Sequence, residues 1–595
     1  MAEKNLTISD DEQRAAPEND VTTPQDSQAA SRRTRRELLA GGLAALVFGK
    51  SAYADPDAKG KVRKRTTTGA AVTGSSSSLT PSAGRPGIQP GPAACPILIG
   101  DKSSIHKLID KATFGWTSSV EADVTTMGYN AWLNQQLDPY SWQPYIDFEN
   151  NLATQTDPTH GYGPYPTLAE SAGGANLCAG NDAAAMFAVR YDLVRARVIR
   201  AIYSPAQLLE RMVEFWTDHF NVYHQMPNAN NRYKTLEDTH HIRPNALGKF
   251  RDLLKASALS PAMLLYLNGV ENTAGSPNEN YAREIMELHT LGVDNGYDQQ
   301  TIVELARMLT GWEVEVPNSF HGGGANCGAI KPFDILRHDT GVKNLVFPAN
   351  GNPQTYVIND PNLGENEIDV VVDILTDPAK MGIFTAEFIA GKMCRWLSSY
   401  APPQALKQAV VDAYVANWGD PNTNEIAEMV KVILSQTWIH CGDEKVKRPL
   451  HLLASTARAC NATISDPGTE FQSSRLVGGY LSVADHIPYN KQSPDGYPDG
   501  KEEWADLRTR WEHGARWAFN SFGAASISAF VSALPTASVT AALDALDNAL
   551  TGGYMTQADR TTITNYFSGV SLPLSLTARR EMTSLALASP SYQCY

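Results

Sequence analysis

Apolar residues along this chain recur mainly at three- and four-residue steps, the spacing of amphipathic helices, and strand-like alternation is sparse. Several helices carry explicit boundaries. Ser118-x-x-Glu121 has the form of a capping box. Ser204-Pro205-x-Gln207 joins an N-cap residue to Pro at the first helical position and predicts a helix reaching His219. Ser260-Pro261 opens another, and Asp298 opens one that ends at Gly311. Further helices are predicted over 367–375, 384–397, 403–417, 425–434, 449–459, 502–521 and 577–587. Residues 344–347 and 354–358 flank a turn containing Pro, Asn and Gly, which predicts one β-hairpin. The expected fold is mainly α: a large multi-helix domain with one small β-hairpin insertion and no repeat of fixed period.

The run NENYAREIMELHTLG, from Asn278 to Gly292, is the densest in chemistry. Asn278 suits an N-cap and Gly292 a left-handed C-terminal cap. Tyr281, Ile285 and Leu288 form a core stripe; Asn280, Glu284, Glu287 and Leu291 form a second, with Arg283 beside it and His289 off it. An unpaired buried charge costs roughly several kcal/mol, so this set implies a polar network, a metal or a ligand.

The front of the chain reads as an address. Thr34-Arg35-Arg36-Glu37-Leu38-Leu39 resembles a twin-arginine pattern, an apolar stretch follows over 38–48, and Ala52-Tyr53-Ala54 offers a cleavage site. Residues 1–54 are expected to be a twin-arginine-type signal peptide, with a periplasmic or secreted product starting near Asp55. That route carries folded proteins, many already loaded with a cofactor. Residues 55–94 are rich in Ser, Thr, Pro and Gly and are expected to be a disordered linker. Residues 95–595 then form the helical domain, with no transmembrane segment expected in the mature chain.

Composition narrows the classes. A net charge of −14 over 595 residues opposes phosphate binding, so no nucleic-acid partner is expected. Seven cysteines show no CxxC pair. Cys178 and Cys327, in similar Gly-rich contexts, are the expected disulfide, and Cys394 on an apolar helix is expected as a buried free thiol.

Three segments offer groups for one convergent site. In LERMVEFWTDHFN, Glu210, Glu214 and Asp218 share a face; Glu210 reads as part of a solvated acidic stripe, while Glu214 and His219 lie beside aromatic residues that imply burial. In the Asn278 run, Glu284, Glu287 and Arg283 form either a site or an internal ion-pair network. The third segment is Arg337-His338-Asp339-Thr340-Gly341-Val342-Lys343, a site edge or a His–Asp pair fixing a turn. His219 and His289 are the candidate metal ligands, for a divalent ion drawn from several segments, since neither HExxH nor the Glu-x-x-His of di-iron bundles is present. The run 494–499, PDGYPD, reads first as a turn, with Tyr497 as a second-choice pocket residue. GxSxG, P-loop and GxGxxG patterns are absent.

The runs HKLIDKATFG, RMVEFWTDHFNV, NENYAREIMELHTLGVDNGY, LTGW, RHDTGVK, KRPL and PDGYPD together resemble the bacterial domain-of-unknown-function family 1800, over about 105–519. The resemblance implies an exported protein but no reaction. It also implies a partner, an exported protein of unknown-function family 1501, because the two are often encoded together. Three functions stand open at this point. One is a metal- or carboxylate-dependent enzyme acting on an envelope polymer or glycan. In it Glu214, Glu284, Glu287, His338 and Asp339 supply acid–base groups and Arg283 an anchor. The second is a non-catalytic binding or assembly partner with a buried structural network. The third is a cofactor-bearing redox protein.

Overall fold

Two apolar cores organise the helices. A computed structural model describes residues 101–169, 183–225, 230–314, 333–348 and 353–595. The expected leader and linker, and the Cys178–Cys327 pair, lie outside these residues. The first core includes Leu208, Met212, Trp216, Phe250, Ile285, Leu305, Ile389 and Val430. The second includes Leu152, Leu193, Ile199, Leu453, Tyr480, Trp517, Leu546 and Met582. The helix Ala183–Tyr203 gives Val189 to the first core and Leu193, Ile199 and Ile202 to the second, and so ties them together. Burying each such large side chain contributes about 1.5–3 kcal/mol, enough in sum to hold charged neighbours at depth.

The described residues are mainly helical, as the apolar spacing predicts. Among them no helix is long and apolar enough to cross a membrane. Pro449–Ala459 and Glu367–Thr376 fall where expected. The hairpin pairs Lys343–Phe347 with Gln354–Ile358, antiparallel, with Lys343 opposite Ile358 and Phe347 opposite Gln354. Lys343, Leu345 and Phe347 are buried and the residues between them exposed, the period-two signature of a strand covered on one face. A second, two-residue pairing joins Thr463–Ile464 to Ala525–Ser526.

Four boundaries differ from the sequence reading, each for a local reason. Thr117, not Ser118, caps the helix Ser118–Met127, its hydroxyl accepting from the Val120 amide. The expected helix over 502–521 is divided, because the Asp506 carboxylate accepts from the Arg508 and Thr509 amides and starts a new helix, Leu507–Ala518. Ser204 caps nothing. The next helix begins at Gln207, whose side-chain oxygen accepts from the Phe114 amide (3.0 Å) while its nitrogen donates to the Ser204 carbonyl (2.8 Å). Finally, Asn278 caps the helix Glu279–Glu287 as expected, but that helix ends a turn early. The amides of Leu291 and Gly292 both return to the Met286 carbonyl, with Gly292 at φ +93°. His289 is thereby turned into the core.

Candidate functional site

The helix Gln207–His219 is buried at every residue except Asp218. One face packs into the first core; the other presents Glu210, Glu214 and Asp218. Glu210 is not part of a solvated stripe. It is fully buried, with its carboxylate held by Arg197 (3.0 Å) and Arg243 (2.6 and 3.2 Å). Arg243 and Arg200 also approach the buried Asp238, each at 3.7 Å, and Arg200 grips Glu149 through two nitrogens. Glu214 continues the ladder one turn on, with Arg211 and Arg448 each at 3.5 Å. Arg448 also binds Asp218 at 2.8 Å. A ladder of this kind keeps its charges at depth because each has an opposite neighbour.

Where the helix ends, a cleft of about 220 Å³ opens. Its walls include Asp218, His219, Lys392, Trp396, Arg448 and the loop 495–499. Asn221 pins the approach to that loop by donating to the carbonyls of Lys491 (2.9 Å) and Ser493 (2.7 Å). Gly496 lies at φ +75°, and a Cβ there would overlap the Asp218 carbonyl oxygen; only glycine allows this approach. The Tyr497 amide then donates to the Asp218 carboxylate. The PDGYPD run is therefore a turn, as first read, and also a wall of the cleft. Asp499 receives both its contacts from Lys445 at 2.9 Å. Behind the shared Asp218–Tyr497 partition lies a cavity of about 20 Å³, too small for a ligand, bordered by Glu214 and His486.

The electrostatics of the cleft are uneven. Burial raises the Asp218 pKa, assisted by Glu214 and opposed by Arg448, so this carboxyl holds a proton more readily than usual. Burial lowers Lys392 to about 8. Its Nζ donates to Nδ1 of His219 at 2.9 Å, and no carboxylate among the described residues lies in ion-pair contact with it. Burial, with Lys392 and His289 adding to it, holds His219 well below the usual imidazole range. Its Nε2 donates to the His289 carbonyl at 3.1 Å, which fixes the tautomer.

The two predicted helices thus meet at His219 and His289, whose rings are 5.9 Å apart. The metal-ligand reading of this pair does not fit. Both His219 nitrogens are engaged, leaving no lone pair for a metal. The two ring nitrogens of His289 are buried without a hydrogen-bond partner, but the ring packs against Phe220 and gains no second ligand from His219. Among the described residues no group of three or more His, Cys, Asp or Glu side chains is placed to hold a metal ion. Glu284 sits near the cleft: burial raises its pKa, with Glu287 and Asp495 adding to the rise. Arg283 and Glu287 are half-buried in ion pairs, Arg283 bridging Glu279 (3.3 Å) and Glu287 (3.6 Å), the neutralised network weighed as one alternative.

The third segment stays with another helix. Asp339 is gripped by Arg307 of Gln299–Met308 through two contacts (2.8 and 3.1 Å), and His338 Nδ1 donates to the Thr310 carbonyl (2.9 Å). Among the described residues, no hydrogen bond, ion pair or ring contact of His338 or Asp339 reaches Glu214, His219, Glu284 or Glu287. The two residues hold this turn through Arg307 and Thr310, not through the expected hydrogen bond between His338 and Asp339. Sequence reasoning missed Lys392, Arg448 and Asp495. The available signal was a charged residue on an otherwise apolar helix for Lys392, and the KRPL and PDGYPD runs for the others. Cys394 is a buried free thiol, as expected, whereas Cys441, not singled out, is disulfide-bonded.

No curated protein and no solved structure matches the chain. One family model does, over residues 107–594, beyond the 105–519 span that carries the motifs and across every residue of the cleft. Its description is "Protein of unknown function (DUF1800)", and the chain belongs to that family.

Proposed function

We propose that this chain is an exported acid–base hydrolase acting on a polar envelope polymer, a glycan in the first instance, at the cleft closing the Gln207 helix. The observation that carries the reading is the pairing within one cleft of a carboxyl whose pKa burial raises, Asp218, with a half-buried amine tied to a neutral imidazole, Lys392–His219. Catalytic acids and bases are tuned by burial in this way. Asp218 gives its proton to the bridging oxygen as the C–O bond breaks. Asp495, exposed at the mouth, accepts a proton from the water that attacks the sugar carbon. Lys392 orients the polymer and supports developing negative charge, while Trp396 and Tyr497 supply apolar walls. The same proposal has the twin-arginine-type leader exporting the mature chain to the periplasm or beyond.

The test is release of reducing ends from envelope glycan fractions by the purified mature protein. Release that Lys392→Met slows at least about 100-fold supports the reading. No release by folded wild-type protein contradicts it. The extended ion ladder through Glu210, Arg243 and Asp238 favours a second reading, a non-catalytic assembly partner for an exported protein such as one of family 1501. In that case the cleft variants leave every envelope polymer untouched and weaken only the association.

A further inference from the structure

The Gln207 helix has a cleft at each end. Its amino end, about 18 Å from His219 at 1.5 Å per residue, borders a larger cleft of about 510 Å³. That volume lies within the range of small-ligand sites, about 300–1,000 Å³. Trp142 and Tyr203 stand half-buried in its walls, with Gln135, Asn461 and Thr117 as polar neighbours. Two polar atoms there, the Ser204 hydroxyl oxygen and Nε of the half-buried Arg458, are themselves buried without a hydrogen-bond partner. Ser204, freed from the capping role its sequence suggests, has a buried hydroxyl with no hydrogen bond. Arg458 donates from Nη1 to the Ile202 carbonyl (3.0 Å), but its Nε is buried without a partner. Among the described residues no carboxylate stands in ion-pair contact with it. The ladder arginines Arg197, Arg200, Arg211, Arg243 and Arg448 each have one, whereas Arg458, like Lys392 and Arg510, does not. Burial with nothing to offset it lowers its pKa to about 10.

We infer that this cleft binds a saccharide bearing a carboxylate, with the acid group on Arg458, a ring hydroxyl on Ser204 and a sugar face against Trp142. A guanidinium in a protein wall gains most from an oxyanion that it can meet through two nitrogens. Aromatic faces and amide or hydroxyl groups suit the alternating apolar and hydroxylated surfaces of a sugar. A neutral sugar leaves Arg458 uncompensated, and a small inorganic anion leaves the aromatic walls unused. The site is separate from the carboxyl-end cleft and does not depend on the hydrolase reading.

Tryptophan fluorescence and titration calorimetry with trigalacturonate as the probe, and maltotriose as its neutral counterpart, test this. Trigalacturonate is expected to bind at least about tenfold more tightly than maltotriose, a difference that Arg458→Gln removes. Trp142→Ala, at a half-buried site, is expected to weaken trigalacturonate at least about fivefold, and it decides the matter if the arginine variant does not fold. Asp218→Asn leaves binding unchanged, which separates this site from the proposed catalytic cleft. No binding at about 1 mM, equal affinity for the two sugars, or unaltered binding by Trp142→Ala overturns the inference. So does inorganic phosphate competing as well as trigalacturonate itself.

Discussion

Lys392 Nζ lies 2.9 Å from Nδ1 of His219, so a half-buried amine donates to a neutral imidazole instead of a carboxylate. Burial holds the amine at about 8 in the folded chain, against a reference of 10.5. Between these values the unfolded chain binds the proton and the folded chain does not, so stability from this group rises with pH from about 8 to 10.5. Below about 8 the cost of burying the charge is fully present. Lys392→Met is expected to raise the melting temperature at pH 7 and to flatten the rise above pH 8. Lys445 and Lys447, also lowered to about 8, keep part of that slope. Thermal melts across pH 6–10 check this, and identical slopes in the two proteins contradict it.

Glu210 is expected to be worth more than a surface acid. Glu210→Gln leaves Arg197 and Arg243 buried beside a neutral amide and is expected to cost about 3–5 kcal/mol, read from urea unfolding. A loss below about 0.5 kcal/mol, typical of exposed positions, contradicts the ladder.

Gly496 tests the loop that walls the cleft. Gly496→Ala adds a Cβ that meets the Asp218 carbonyl and forces a left-handed backbone on alanine, so the loop must move off the helix end. Faster amide exchange at Tyr497 and a weaker Tyr497–Asp218 contact are expected, with the 343–358 hairpin, which among the described residues shares no hydrogen bond or ion pair with this loop, unaffected. Unchanged exchange at Tyr497 contradicts the close approach.

Much of the scaffold is legible in the sequence because its signals are local. Pro449 marks the start of its helix, Asn278 caps its own, and alternation along 343–347 identifies the hairpin. The site is legible only in part. Glu214 and His219 announce their burial through Phe215, Trp216 and Phe220, but the partners of Glu210 come from other helices, and no spacing rule supplies them. The cleft joins positions 218, 392, 448 and 495, which only the tertiary fold brings together. The opposite error arose at His338 and Asp339. Adjacent chemistry in a Gly-containing loop resembles a site, yet Arg307 and Thr310 use it to fix a turn.

Export is expected to need the arginine pair. Changing Arg35 and Arg36 together to Lys should block translocation, and N-terminal sequencing of the exported wild-type protein should begin at Asp55. Unimpaired export of the double variant contradicts the twin-arginine reading.

The most direct measurement compares Asp218→Asn with Asp339→Asn in the same glycan-release assay, both checked for native circular dichroism. The two substitutions are chemically identical, one in the cleft and one in the turn. The account predicts at least about a 100-fold loss of rate for Asp218→Asn and a change within about twofold for Asp339→Asn. Full activity in a folded Asp218→Asn protein contradicts it.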